Sequence, residues 1–152
     1  MLQLNLPTYA YRLENRGGKL FIFDPIRKKF VQLTPEEWVR QHMLNHLMVN
    51  LGYPAARTRV ESGLKYNELQ KRSDILIYDQ KLKPLVLVEC KAPSVALGQN
   101  VVEQIAAYNK VCQSRLVIIS NGIQTYAGLC SSANEPTQML STIPDYQQLK
   151  VM

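Results

Sequence analysis

Apolar positions along the chain follow two periods. Short apolar runs occupy LysLeuPheIlePheAsp (19–24), LysPheValGlnLeu (29–33), IleLeuIleTyr (75–78), LeuValLeuVal (85–88) and LeuValIleIleSer (116–120). Their length and their wealth of Val, Ile and Phe predict strands. ProIleArgLys separates the first two, which predicts a hairpin. Asn121-Gly122 follows the last, so IleGlnThrTyrAla (123–127) is expected to pair back across a tight turn. A further strand is expected over 57–64.

The period lengthens to that of a helix in two places. Thr34-Pro35-Glu36-Glu37 combines an N-cap threonine, a proline at the first helical position and an acid three residues after the cap. The helix it starts should run from about 35 to 51 and stop at Gly52, with Val39, Met43, Leu44, Leu47 and Leu51 as its apolar stripe. A second helix is predicted over 99–113, where Val101, Val102, Ile105, Ala106 and Tyr108 recur at helical spacing. The tail from 131 is polar and is expected as a short terminal helix or a loose segment. The resulting order, β-β-α-β-β-β-α-β-β, predicts an α/β fold: a mixed central β-sheet flanked by helices. We expect one domain over 1–152, with its core at about 19–130 and a less defined tail at 131–152.

Composition agrees with a folded chain, since 46% of residues are apolar and 20% charged. A net charge of +6 favours a polyanionic partner. Cys90, Cys112 and Cys130 are odd in number and form no C-x-x-C pair, so buried free thiols in a reducing compartment are expected. No apolar run reaches membrane-spanning length, and no basic start precedes an apolar segment at the N-terminus. The expectation is a cytoplasmic protein without a membrane partner.

The chemistry is concentrated between Asp74 and Lys91. Asp74 opens one apolar run, and Glu89-Cys90-Lys91 closes the next. Neighbouring strands lie roughly 5 Å apart, so acids on facing strands can share a cation. Alternation points Glu89 and Lys91 to one side and the Cys90 side chain to the other. Hydrolysis of a phosphodiester needs such a cation, and Mg²⁺, with Mn²⁺ as substitute, prefers oxygen ligands. Asp74 and Glu89 would be ligands, with the backbone carbonyl of Cys90 as another. Lys91 would position the attacking water or neutralise the transition state. The plain alternative is that Asp74 caps a strand and that Glu89 and Lys91 are its partner's polar end.

Further residues extend the constellation. Gln104 and Tyr108, at i and i+4, share a helix face. Placed at 100° per residue, Glu36 falls at the centre of the first helix's apolar stripe, where a carboxylate needs a cation or Lys91 as partner. Glu37, three residues after Thr34, fits the capping role better. Lys71 and Arg72 put positive charge beside Asp74, and with Arg57, Arg59, Lys65 and Lys110 they are candidates for phosphate contacts. These bases are equally well read as surface charge, Tyr108 as core and Gln104 as surface. His42 and His46 also stand at i and i+4, but on the polar side of the helix and with no third zinc ligand indicated.

Together, ThrProGluGluTrpValArgGln (34–41), GlyTyrPro (52–54), LysArgSerAsp (71–74), GluCysLysAlaPro (89–93), GlnIleAlaAlaTyrAsn (104–109) and SerAsnGly (120–122) resemble the N-terminal nuclease domain of type I restriction enzyme R subunits. That domain belongs to the PD-(D/E)xK superfamily. The resemblance runs in order over roughly 20–127 and implies a restriction-endonuclease-like core. It also implies that Asp74, Glu89 and Lys91 are catalytic, that Gln104 and Tyr108 match an additional motif, and that Glu36 is the first-helix acid. The family enzyme also carries an ATP-driven translocase, but no G-x-x-x-x-G-K-[ST] occurs here, so no ATP site is expected in this chain.

The expected function is that of a Mg²⁺-dependent DNA endonuclease domain. It would contact phosphates without reading sequence, since no recognition helix is evident. Expected partners are DNA and restriction-modification subunits. Cutting both strands takes two centres or two visits, which makes a homodimer reasonable. The alternative is a catalytically silent DNA-binding or assembly module of a restriction or defence complex.

Overall fold

The computed structural model describes residues 1–61, 74–131 and 135–152. Nine strands and three α-helices are seen among them. Strands β1 (Leu13–Arg16), β2 (Lys19–Asp24) and β3 (Lys29–Gln32) form a small antiparallel sheet. The larger sheet orders β4 (Thr58–Val60), β5 (Ile75–Tyr78), β6 (Pro84–Cys90), β7 (Leu116–Ser120), β8 (Thr125–Leu129) and β9 (Gln138–Leu140). Only the β6–β7 pair is parallel among those described, so the sheet is mixed. Helix α2 (Val101–Cys112) makes the crossover between β6 and β7.

The continuous apolar runs of β5, β6 and β7 follow from cover on both faces. Ile75, Ile77, Val86, Val88, Leu116 and Ile118 pack towards helix α1 (Pro35–Asn45), against Val39, Met43 and Leu44. Leu76, Leu87, Val117 and Ile119 pack on the opposite face against Val101, Ile105 and Cys112 of α2. The mixed sheet flanked by helices is therefore as the sequence implied. Cys90, Cys112 and Cys130 are all free and buried.

Several boundaries differ from expectation for local reasons. Thr34 caps α1 by accepting from the Glu37 amide at 3.0 Å, but the α-helix ends at Asn45. A π-helical turn, His46–Asn50, then carries the chain to Gly52, whose φ of +76° suits glycine. Strand β1 has a single apolar residue and every position exposed, so hydrophobic patterning could not show it. Strand β8 starts at Thr125 because the Asn121 side chain accepts from the Ile123 and Gln124 amides at 2.9 and 2.8 Å, prolonging the turn. Of the strand expected over 57–64, residues 58–60 form β4, and 62–64 lie outside the described residues.

The tail is anchored rather than loose. It contributes β9 and helix α3 (Tyr146–Lys150), whose Asp145 and Gln148 form a reciprocal capping box. Tyr146 donates its amide to Leu51 at 2.8 Å, and the buried Tyr53 hydroxyl donates to the Pro144 carbonyl at 2.7 Å. No helix among the described residues is long and apolar enough to cross a membrane.

Gly122 supports this arrangement at the β7–β8 turn. It has φ +84°, and an added Cβ would lie 2.8 Å from Leu4 Cδ2 and 3.1 Å from Val39 Cγ2. Gly122→Ala is therefore expected to destabilise the protein by about 1–3 kcal/mol through backbone strain and overpacking. Urea denaturation measures that loss. A midpoint equal to wild type would show that the turn relaxes freely.

Candidate functional site

The C-terminal end of β6, the start of β5, the end of β4 and the first turns of α1 meet at one edge of the sheet. Register brings them together: Val88 opposes Ile75 and Val60 opposes Ile75 on its other side. Asp74, Glu89 and Glu61 therefore leave three neighbouring strands at one level. They enclose a cavity of about 290 Å³ with Glu36 and Arg40 from α1 and with Lys91. Four acidic side chains share this cavity with Arg40 and Lys91, so acids outnumber bases in its lining.

Asp74 is the most constrained group. Its Oδ1 accepts from Arg40 Nη2 at 2.6 Å, and its Oδ2 accepts from the Cys90 amide at 2.8 Å, which ties β5 to the end of β6. Burial pushes its pKa up to about 7, with the Glu89 charge adding to the rise and Arg40 and the Cys90 amide opposing it. Glu89 is buried, and Lys91 Nζ stands 3.2 Å from its Oε1. The Cys90 side chain points into the core on the α1 face, so alternation works as expected. Its thiol is driven well above its usual pKa by burial first and by Asp74 next.

Arg40 is the residue that sequence reasoning missed. Its guanidinium reaches Asp74 and Glu37 at 2.6 Å each, Glu36 at 3.1 Å and Glu61 at 3.3 Å. Burial works against its charge, but Asp74 and Glu37 outweigh that and raise its pKa. Glu61 was also missed; its amide donates to the Asp74 carbonyl at 2.9 Å, and its carboxylate bonds Arg27 at 3.2 Å. Arg27 in turn joins Asp24 at 2.7 Å and Glu37 at 3.0 Å, and Gln41 bridges Asp24 and Glu37. The available signal was a basic residue four positions after Glu36 on a helix, a spacing that pairs side chains.

The first-helix acids exchange roles relative to expectation. Glu36 does not face the core: its side chain is 48% exposed and lines the cavity rim. Glu37 is the buried one, and its carboxylate serves Arg27, Arg40 and Gln41 rather than returning to the Thr34 amide. The reason is that the β2–β3 turn covers a sector of α1 that the stripe alone assigned to solvent. His42 is likewise buried instead of lying on a polar face, because Tyr9 and Tyr11 of the segment before β1 cover it together with Trp38.

Of the remaining candidates, Gln104 and Tyr108 lie beside the cavity. Exposed Gln104 lines an adjoining cleft that shares Lys91 as a wall. Half-buried Tyr108 packs on the α2 side, where burial and then Glu89 raise its pKa. The Arg57 guanidinium donates to the Tyr78 carbonyl at 3.2 Å and the Tyr146 hydroxyl at 2.6 Å, joining β5 to α3. Arg59 donates to the Ala56 and Thr58 carbonyls at 3.3 and 3.0 Å. Lys110 lines a separate cleft with Glu103 and Glu135. Lys65, Lys71 and Arg72 lie outside the described residues.

Among the described residues, no three His, Cys, Asp or Glu side chains form a ready metal cage. An acid-rich, all-oxygen donor set suits Mg²⁺, which keeps several waters and takes only one or two protein carboxylates. The family described as the type I restriction enzyme R protein N terminus matches residues 35–144. The chain belongs to that family. No match is found among curated proteins. The matched stretch of this R-protein N-terminal domain holds the whole cavity, from Glu36 to Lys91, and leaves the β1–β3 sheet outside it.

Arg40→Met in this domain tests the electrostatics directly. Removing one partner of a buried ion-pair network is expected to cost roughly 3–5 kcal/mol. A divalent cation should recover part of the loss, so Mn²⁺ should raise the melting temperature of the variant more than that of wild type. No shift in either protein would mean that no cation enters beside Asp74.

Proposed function

We propose that this R-protein N-terminal domain hydrolyses DNA phosphodiesters at the Asp74–Glu89–Lys91 edge of the sheet, with Mg²⁺ as cofactor. The observation that carries this reading is the convergence of Asp74 and Glu89 on one acid-rich cavity, beside an ammonium group 3.2 Å from Glu89. Asp74 and Glu89 would hold the cation. Each carboxylate oxygen has two lone pairs, so Asp74 keeps acceptor capacity beyond Arg40 and Cys90. The bound group's contribution is Lewis-acid neutralisation of charge developing on the phosphate.

The protein's own residues account for the rest. Lys91 places a positive point charge where the phosphate enters and donates to the attacking water or a non-bridging oxygen. Arg40 fixes the Asp74 carboxylate and gathers Glu36, Glu37 and Glu61 around one guanidinium. Gln104, which lines the adjoining cleft with Lys91, would meet the substrate backbone. Such contacts orient DNA without reading its bases. The domain would act beside restriction-modification subunits.

A second reading, a silent DNA-binding or assembly module, draws support from the 2.6 Å contact by which Arg40 already neutralises Asp74. The two separate in a cleavage assay on linear, nicked and single-stranded DNA with Mg²⁺ or Mn²⁺. The nuclease reading expects cation-dependent cutting that Lys91→Ala and Asp74→Ala abolish. Cutting that is equal in the variants and wild type would place the activity elsewhere, and no cutting on any substrate would favour the silent module.

A further inference from the structure

The chain contains three phenylalanines, and all of them stand on one face of the β1–β3 sheet. Phe21 and Phe23 are two apart on β2, and Phe30 of β3 pairs with Phe23. This is the outer face, since Ile22 and Val31 between them turn inwards to the core. None of the three rings belongs to either apolar core, and each is only half-buried. Large aromatics ordinarily fill cores, so their collection on one open face calls for a ligand with flat apolar surfaces.

Charge says which ligand. Arg12 lies over the Phe23 and Phe30 rings at 4.7 and 5.4 Å from their centroids, and Arg16 lies over Phe21 and Phe30 at 4.9 and 5.5 Å. Lys19, paired with Arg16 across the sheet, adds a third positive charge to this face. Glu14 opposes Phe21 here, but it is engaged by Arg16 at 3.0 Å. Alternating rings and guanidinium groups at stacking distance form a surface that takes planar bases on the rings and phosphates on the arginines.

We propose that the outer face of the β1–β3 sheet is a single-stranded nucleic-acid platform. Arg12 and Arg16 swing off the ring faces onto phosphates, joined by Lys19, and bases stack on Phe21, Phe23 and Phe30 in their place. A duplex cannot use the rings, because its bases are already stacked on one another. The platform lies outside the family match and does not depend on hydrolysis at the carboxylate cavity. Its position is nevertheless continuous with that cavity, since Arg27, in the turn joining β2 to β3, bonds Glu37 and Glu61.

The test is fluorescence polarisation of labelled oligothymidylate, oligouridylate and a duplex of equal length, run in EDTA so that nothing is cleaved. Saturable binding to a single strand, stronger than to duplex, is expected. A preference between the two single strands then names DNA or RNA as the source. The variant Phe21→Leu/Phe23→Leu/Phe30→Leu keeps apolar cover but loses stacking, and should weaken binding at least about tenfold, the weight of one stacked base. A separate Phe30→Trp variant guards against misfolding of the leucine variant: its added fluorescence, after subtraction of the Trp38 signal from wild type, should be quenched saturably by the oligonucleotide. Duplex binding as tight as single-strand binding, unchanged affinity in the leucine variant, or added fluorescence that the oligonucleotide leaves unquenched in Phe30→Trp would overturn the platform.

Discussion

Glu89→Gln is expected to lower the proposed cation-dependent cleavage on the order of 10³-fold while leaving the fold intact. The expectation rests on burial and on the groups around the carboxylate. Glu89 is only 2% exposed, and its charge is felt by Asp74, Tyr108 and Cys90. A cation held there contributes several kcal/mol of transition-state stabilisation, and each 1.36 kcal/mol is worth about tenfold in rate. Glutamine keeps the volume and removes the charge. Glu36→Gln provides the contrast. Its side chain is 48% exposed, so solvent screens it and the loss should stay within about tenfold. Single-turnover cleavage rates measure both. A Glu36 effect as large as that of Glu89 would move the cation to the cavity rim.

Asp74→Asn should stabilise the cation-free protein at alkaline pH, although it removes a salt bridge. Burial and Glu89 raise the folded-state pKa of Asp74 from 3.8 to about 7. The native state therefore holds a proton that the unfolded chain releases near pH 4. The contribution of such a group is fully present below the unfolded pKa and is lost as pH rises through the folded one. Wild-type stability from Asp74 accordingly falls between about pH 4 and pH 7. At 1.36 kcal/mol per unit the penalty at pH 8 has an upper bound of about 4 kcal/mol. Asparagine, which never ionises, should recover at least about 1 kcal/mol of it. Near pH 4 the difference should vanish. Taking the difference between variant and wild type also cancels other titrations, such as that of His42, whose pKa burial lowers. A variant that is less stable by the same amount at pH 4 and pH 8 would contradict the assignment.

The sequence showed the sheet well where burial is complete. Residues 75–78, 85–88 and 116–120 are continuous apolar runs because α1 and α2 cover both faces, and their strands lie where the runs do. It concealed β1, whose every residue is exposed, and β9, whose pairing with β8 is set by backbone geometry rather than pattern. Asp74, Glu89 and Lys91 could be grouped because strand spacing and alternation are local rules. Arg40 and Glu61 could not be added, since their meeting with Asp74 depends on how α1 and β4 dock on β5. The exchange of Glu36 and Glu37 has the same origin. A helical wheel gives each acid's direction, but it cannot know that Arg27 and Asp24 cover Glu37 or that Glu36, in the first turn, opens onto the cavity rim.

Everything chemical in this account depends on the sheet-edge cavity accepting a divalent cation. Calorimetric titration of Mn²⁺ into wild type and Glu89→Gln at pH 8 tests this most directly. The expected result is saturable binding by wild type that the variant loses. No heat at millimolar Mn²⁺, or identical isotherms for the two proteins, would contradict it.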